Sequence, residues 1–210
     1  LYSGRALEFD GVADYVDIDD ATVANVISSA GTISVWAKLD DITTAGQVDT
    51  MVSSYNTGSS TQRFKFDVYN VSGTPYVRIG YEGSAGALIV SENASDYGTD
   101  VGLTTGWHYL VYVQESDASR KLYVDGELKH TETTSFTSDT SYTDLAIGVY
   151  RQSASTINNY YDGELSNVQL WDKAWSLSDV QYAYTHPERL ITHNSAVTSG
   201  TTISNLKAWY

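Results

Sequence analysis

The sequence predicts an all-β domain built as a two-sheet sandwich with one short helix near its C-terminal end. Three observations point there. Hydrophobicity alternates with period two through most of the apolar stretches. Turn signals built on Gly, Asp and Asn separate those stretches into about 12 to 14 short strands, the spacing of a sandwich. A single stretch carries helical spacing between a capping residue and a proline. Of the 210 residues, 41% are hydrophobic and 12% aromatic, enough for a packed core.

The elements follow in chain order. "LEFDGVADYVDI" reads as two strands joined through Asp10-Gly11. In "TISVWAKL", Ile33, Val35, Ala37 and Leu39 share one face, and Ser34, Trp36 and Lys38 the other. In "RFKFDVYN", Phe64, Phe66 and Val68 oppose Arg63, Lys65, Asp67 and Tyr69, and "NVSGTP" turns the chain into the next strand. In "WHYLVYVQ", Trp107, Tyr109, Val111 and Val113 oppose His108, Leu110, Tyr112 and Gln114. Charge is scarce on both faces there, which predicts a central strand. Asp125-Gly126 in "LYVDGELKH" predicts a two-residue primed turn, whose central positions both need positive φ.

"SLSDVQYAYTH" is the helix. Ser176 caps it, Asp179 stands three residues on, Leu177, Val180 and Tyr184 keep helical spacing, and Pro187 stops it. It is expected as a lid over one end of the sandwich. Residues 1–186 then form the domain, and 187–210 a polar linker with a terminal strand in "NLKAWY". That strand either closes the sheet beside the first strand or opens a following module; packing beside the first strand is the favoured expectation. An opening Leu in place of Met reads as a segment of a longer polypeptide with neighbouring modules.

A net charge of −14 argues against nucleic acid and against anionic lipid surfaces. No apolar run reaches the roughly 18–20 residues of a membrane span. The absence of cysteine excludes disulfides and thiolate metal sites and, in a domain with many Ser, Thr and Tyr, suggests an extracellular microbial or viral source.

Five segments taken together carry a resemblance: "ALEFDGVADYVDI", "GTISVWAKL", "WHYLVYVQESDASRKLYVDGEL", "LAIG" and "YDGELSNVQLWDKAWSLSDV". Their order and spacing are similar to laminin-G-like and pentraxin-like domains of the concanavalin A-like lectin and glucanase superfamily, over about residues 5–185. The resemblance implies a jelly-roll of two curved antiparallel sheets that binds sugars, lipids or proteins, often with calcium held by loops. Yet where pentraxin-like domains carry acidic and amidic ligands after "LAIG", this chain has Val149, Tyr150, Arg151 and Gln152. The companion loop "SYNTGSSTQRF" offers Thr61 and Gln62 where an Asp-Asn pair is implied. Calcium takes about six to eight hard oxygen ligands, carboxylates among them, and Arg151 would repel it. The implied calcium site is therefore expected to be lost.

Amides and phenols remain. Tyr55, Asn56, Gln62, Tyr150, Gln152 and Asn159 are the candidate ligand-binding residues, rings to stack on sugars and amides to donate and accept. No cofactor is required. A structural calcium at Asp10, Asp14 and Asp162, where the first strand should pair with the last long one, stays open beside the plainer reading of solvated turn carboxylates.

Catalysis is not expected. Related hydrolases place a Glu-x-Asp-x-x-Glu or Glu-x-Asp-x-Glu run on one strand, and neither occurs here; Glu115 and Asp117 fall in a hairpin turn. His108, His130, His186 and His193 lack metal-ligand spacing, and there is no Gly-x-Ser-x-Gly. The expected role is a non-catalytic, adhesive recognition module of an extracellular, cell-surface or virion-surface protein that binds a glycan or a neighbouring protein. The alternative is a structural spacer of a phage fibre or surface array with no ligand of its own.

Overall fold

The computed structural model describes residues 5–83, 86–90, 98–138, 141–153, 155–193 and 200–210; the side chains of 60, 61, 83 and 86–90 are outside that description, Thr61 among them. The first half contains β1 (Leu7–Asp10), β2 (Val16–Ile18), α1 (Ala21–Ala24), β3 (Gly31–Leu39), β4 (Val48–Asn56), β5 (Ser59–Val71), β6 (Thr74–Gly83), β7 (Gly86–Val90) and β8 (Thr99–Asp100). The second half contains β9 (His108–Ser116), β10 (Ser119–Val124), β11 (Glu127–Glu132), β12 (Asp144–Ile147), β13 (Tyr150–Arg151), β14 (Ile157–Asn158), β15 (Asp162–Trp171), α2 (Leu177–Thr185) and β16 (Leu206–Trp209). Among the described residues the strands exceed the expected number, because two-residue pairings such as β13–β14 leave no alternation to read.

The strands form two seven-stranded antiparallel sheets, the jelly-roll sandwich expected. One runs β1-β15-β3-β9-β10-β11, with β16 also on β15; the other runs β2-β12-β4-β5-β6-β7, with β8 also on β6. Between them lies a core of side chains whose parity matches the pleat. Ile33, Val35, Ala37 and Leu39 of β3 meet Phe64, Phe66 and Val68 of β5, with Leu110 and Tyr112 of β9 beside them. Burying such side chains contributes about 1.5–3 kcal/mol each relative to exposure, the main term favouring the fold.

The opposite parity of the first sheet is apolar too. Trp36, Tyr109, Val111, Val113, Tyr123 and Trp171 form a second cluster, covered by Val180 and Ala183 of α2 and by Leu190 and Ile191. So α2 roofs the outer face of this sheet rather than closing one end of the sandwich. Its capping box and its stop before Pro187 are as expected. Trp36 stacks on Tyr184 at 5.8 Å between ring centres, and Trp171 meets Trp175 edge-on at 5.5 Å.

The turn chemistry follows the sequence. Asp125 and Gly126 have φ of 52° and 82°. The Asp125 carboxylate then accepts the Tyr109 N–H and lies 2.8 Å from His108 Nδ1. Because the Thr104 N–H donates to His108 Nε2 at 3.0 Å, the imidazole proton sits on Nδ1 and points at Asp125. His108 thus fastens the β10–β11 turn to the start of β9.

The terminal strand β16 pairs with β15 at Gln169 and Leu170, while β1 pairs with β15 from Leu165 to Asp162. Both run antiparallel to β15, so they lie end to end along one edge rather than side by side. The Tyr210 and Val168 backbones exchange hydrogen bonds of 2.8 and 2.9 Å, close to where the Arg5 carbonyl accepts from Ser166. Of the stretch between α2 and β16, expected as a linker, residues 194–199 lie outside the described residues. Among the described residues no helix is long and apolar enough to cross a membrane.

Gly163, in β15, combines φ of 136° with a close approach: a Cβ there would stand 2.1 Å from the Lys38 carbonyl oxygen. Gly163→Ala is expected to cost about 2–4 kcal/mol through backbone strain and displacement of β3. Urea unfolding of the variant beside the parent measures it.

Candidate functional site

With α2 over the first sheet, the outer face of the β4–β5–β6 sheet is the surface left for polar chemistry. Cross-strand pairing sets what stands there. Ser53 pairs with Lys65 and Tyr55 with Arg63 between β4 and β5; Asp67 pairs with Arg78 and Arg63 with Glu82 between β5 and β6. On the far side, Asp17 of β2 and Asp144 of β12 continue the same face through Ala146–Ser53 and Asp144–Tyr55. Asp67 is fully buried and takes both oxygens to Arg78, at 2.8 Å each. Lys65 Nζ lies 3.8 Å from the same carboxylate.

The β13–β14 ribbon crosses this face. Ser53 Oγ donates to the Val149 carbonyl at 2.8 Å and accepts the Arg151 N–H at 3.3 Å, fixing the ribbon over β4. The two side chains of β13 then reach down. Lys65 Nζ stands 5.3 Å from the centre of the Tyr150 ring. The Arg151 guanidinium lies 4.6 Å from the Tyr55 ring centre, donates to Asp17 Oδ2, and faces the Tyr15 ring at 5.9 Å. Tyr15 in turn meets Tyr160 at 6.5 Å with tilted planes. A ladder of ring, cation and ring therefore rises from the sheet to its rim. Burial pushes the phenols of Tyr55 and Tyr150 up to about 12, so both stay neutral donors.

The candidate residues do not form one cluster. Asn56 Nδ2 donates to Gln62 Oε1 at 2.7 Å and to the Ser141 carbonyl at 2.6 Å. By the pleat, Gln62 lies on the Phe64 side of β5, whereas Tyr150 and Arg151 cross the Arg63 and Lys65 side. Tyr55 and Tyr150 are only 1% and 3% exposed, so neither ring has a free face for a sugar. Gln152 and Asn159 stay half-buried beside the ribbon; Gln152 N–H donates to Thr156, and the Asn159 carbonyl accepts from Thr50 at 3.4 Å.

A ring pair near the ribbon that reaches solvent is Tyr15, 38% exposed, with the half-buried Tyr160. Neither stands out in the sequence. Their only signal was position: "ADYVDI" and "NNYYDG" bring a Tyr to the ends of segments expected to lie near each other. Near them, Asn158 Oδ1 is buried without a hydrogen-bond partner.

Of the three carboxylates proposed for calcium, that of Asp10 is engaged by backbone. Asp10 Oδ1 accepts three backbone N–H groups, from Val12, Ala13 and Asp14, which hold its carboxyl below the usual range. Asp162 sits opposite Asp10 in the β1–β15 pair, and burial with the neighbouring Asp40, Asp41 and Asp10 raises its carboxyl. Among the described residues no three His, Cys, Asp or Glu side chains are arranged to hold a metal ion. At the loop where the resemblance implies calcium, the guanidinium of Arg151 pairs with Asp17, and the residues of that loop do not fit the ion.

Comparison with known proteins agrees with this architecture. A family profile described as concanavalin A-like lectin/glucanases superfamily, laminin-G type, matches residues 10–181. A native SAP-like pentraxin from Limulus polyphemus superposes with a TM-score of 0.61 at 17% identity, covering 84% of this chain and 80% of that one. The CBM40 domain of a Ruminococcus gnavus IT-sialidase, bound to α2,3-sialyllactose, gives 0.62 at 13% identity, covering 86% and 98%. The receptor-binding domain of a botulinum neurotoxin C/D mosaic gives 0.54 at 17% identity, covering 87% of this chain and 45% of that one. No curated protein matches the sequence.

One buried acid ties the ribbon's exit to β4. Asp49 Oδ1 accepts the Asp162 N–H at 3.2 Å and Gln47 Nε2 at 3.1 Å, and burial pushes its carboxyl up to about 7. The folded state thus holds a proton that the unfolded chain releases near 4. This contribution to stability is complete at low pH and is lost as pH rises from about 4 to about 7. Asp49→Asn keeps the acceptor and removes the charge. It is expected to be roughly 1–3 kcal/mol more stable than the parent at pH 8, with the difference vanishing toward pH 4. Denaturant unfolding of both proteins across that range measures it.

Proposed function

The chain belongs to the concanavalin A-like lectin/glucanases superfamily, as a laminin-G-type jelly-roll, and from that premise we propose that it is a non-catalytic recognition module that binds a glycan at the rim of the β4–β5–β6 sheet. The observation that carries this reading is the ladder Tyr55–Arg151–Tyr15–Tyr160. Its lower rungs are locked against the sheet. Its upper end presents a solvent-facing ring pair, with the amides of Gln152, Asn158 and Asn159 on the neighbouring ribbon.

That combination suits a sugar. A phenol ring covers the C–H face of a pyranose, and an amide both donates to and accepts from hydroxyls. Fixing the lower rungs lowers the ordering cost of binding. The sialyllactose carried by the CBM40 domain and the receptor-binding role of the toxin domain support the class of partner by analogy. A single shallow site of this kind binds modestly, so repeated copies on an extracellular, cell-surface or virion-surface protein would supply avidity. The acidic surface favours neutral sugars over polyanions.

A glycan array of neutral and sialylated oligosaccharides, probed with the purified chain, tests the proposal. Saturable binding is expected, with about tenfold or greater loss in Tyr15→Ala and Tyr160→Ala, as for removal of a stacking ring. Uniform absence of binding across the array, with the chain folded, rejects it in favour of the spacer. Release of reducing sugar from a polysaccharide panel rejects the non-catalytic part.

A further inference from the structure

The loop that crosses the outer sheet needs a positive charge, because the elements under it bring acids together. Asp17 lies on β2, Asp144 at the start of β12, and Asp19 just beyond β2; all three act on the Tyr55 phenol from nearby. Arg151 is the basic side chain among them. It is 7% exposed, and its guanidinium donates to Asp17 while lying against Tyr55 and facing Tyr15. Its backbone is held by Ser53 and paired with Ile157 across the ribbon.

We propose that Arg151 is the built-in cation of this loop: its guanidinium neutralises Asp17 of β2 and pins the β13–β14 ribbon to the sheet, so that the loop is ordered, and takes its ligand, without a divalent ion. The geometry favours a guanidinium for the part. A flat, weakly hydrated cation lies on the Tyr55 ring while donating at its edge to a carboxylate. A calcium ion in the same place would need several carboxylate and carbonyl oxygens turned toward it, and Tyr55 presents a ring face instead. The charge is covalently part of the chain, so no change in calcium concentration can remove it.

The inference rests on the glycan reading only for where a ligand would sit; the loop's dependence on Arg151 is tested with no sugar present. Hydrogen exchange over residues 149–153 and 155–160 of the unmutated chain is measured in calcium chloride and in EDTA. Equal protection is expected, and greater protection in calcium overturns the proposal. In Arg151→Met the same amides are expected to lose about tenfold protection. Unchanged protection in the variant also overturns it. If Arg151→Met does not fold, Asp17→Asn removes the partner carboxylate at a half-exposed position; partial loss of protection supports the pairing and none rejects it. If the array yields a glycan, its affinity is expected to be the same in EDTA as in calcium, and loss in EDTA overturns the calcium-independent part. A blank array leaves the exchange result standing, so the two readings fail separately.

Discussion

The rest of the structure depends on one constraint: both faces of the sheet containing β3 and β9 are apolar. On β9, Leu110 and Tyr112 face the sandwich interior, while Tyr109, Val111 and Val113 face outward. An open sheet cannot leave the second set in water, so the chain must cover it, and α2 with Leu190 and Ile191 does so. That covering removes one sheet from the list of binding surfaces. It leaves the polar parity of β4, β5 and β6, where Ser53, Lys65, Asp67 and Arg78 already engage each other. The polar surface not covered by α2 is thereby the outer face of that second sheet.

Between the sheets the core is not wholly apolar. Tyr81 of β6 meets Tyr112 of β9 at 2.6 Å between hydroxyls, and donates to Gln114, whose amide reaches Ser138 at 3.1 Å. Burial pushes the Tyr112 phenol well above its ordinary range, so the group stays a neutral hydroxyl. Such a network is satisfied in one relative placement of the sheets and broken in slipped ones, which favours a single register.

Much of this was legible in the sequence because it is local. Alternation in "WHYLVYVQ" marks a two-faced strand, Asp125-Gly126 marks the primed turn, and Ser176 with Asp179 marks the helix start. What the helix covers was not legible: its own periodicity shows which side is apolar, and says nothing of the sheet that answers it. The site was read less well for the same reason. Neighbours along the chain, such as Tyr55 and Asn56, were grouped together, although the pleat sends alternate side chains to opposite faces. Arg151 was read only as an obstacle to calcium. Its partners, Asp17 and Tyr55, are far away in sequence, and nothing local to "GVYRQ" announces them.

The edge of β15 has a mechanical consequence. Because β1 and β16 lie end to end on it, tension applied through Arg5 and Tyr210 would act at the middle of that edge and draw the two short strands away from it in opposite directions. Each would detach one hydrogen-bonded pair after another, like a zipper opened from its centre, rather than shearing all pairs at once. The pairings of β1 and β16 are thus the first that such a load would meet.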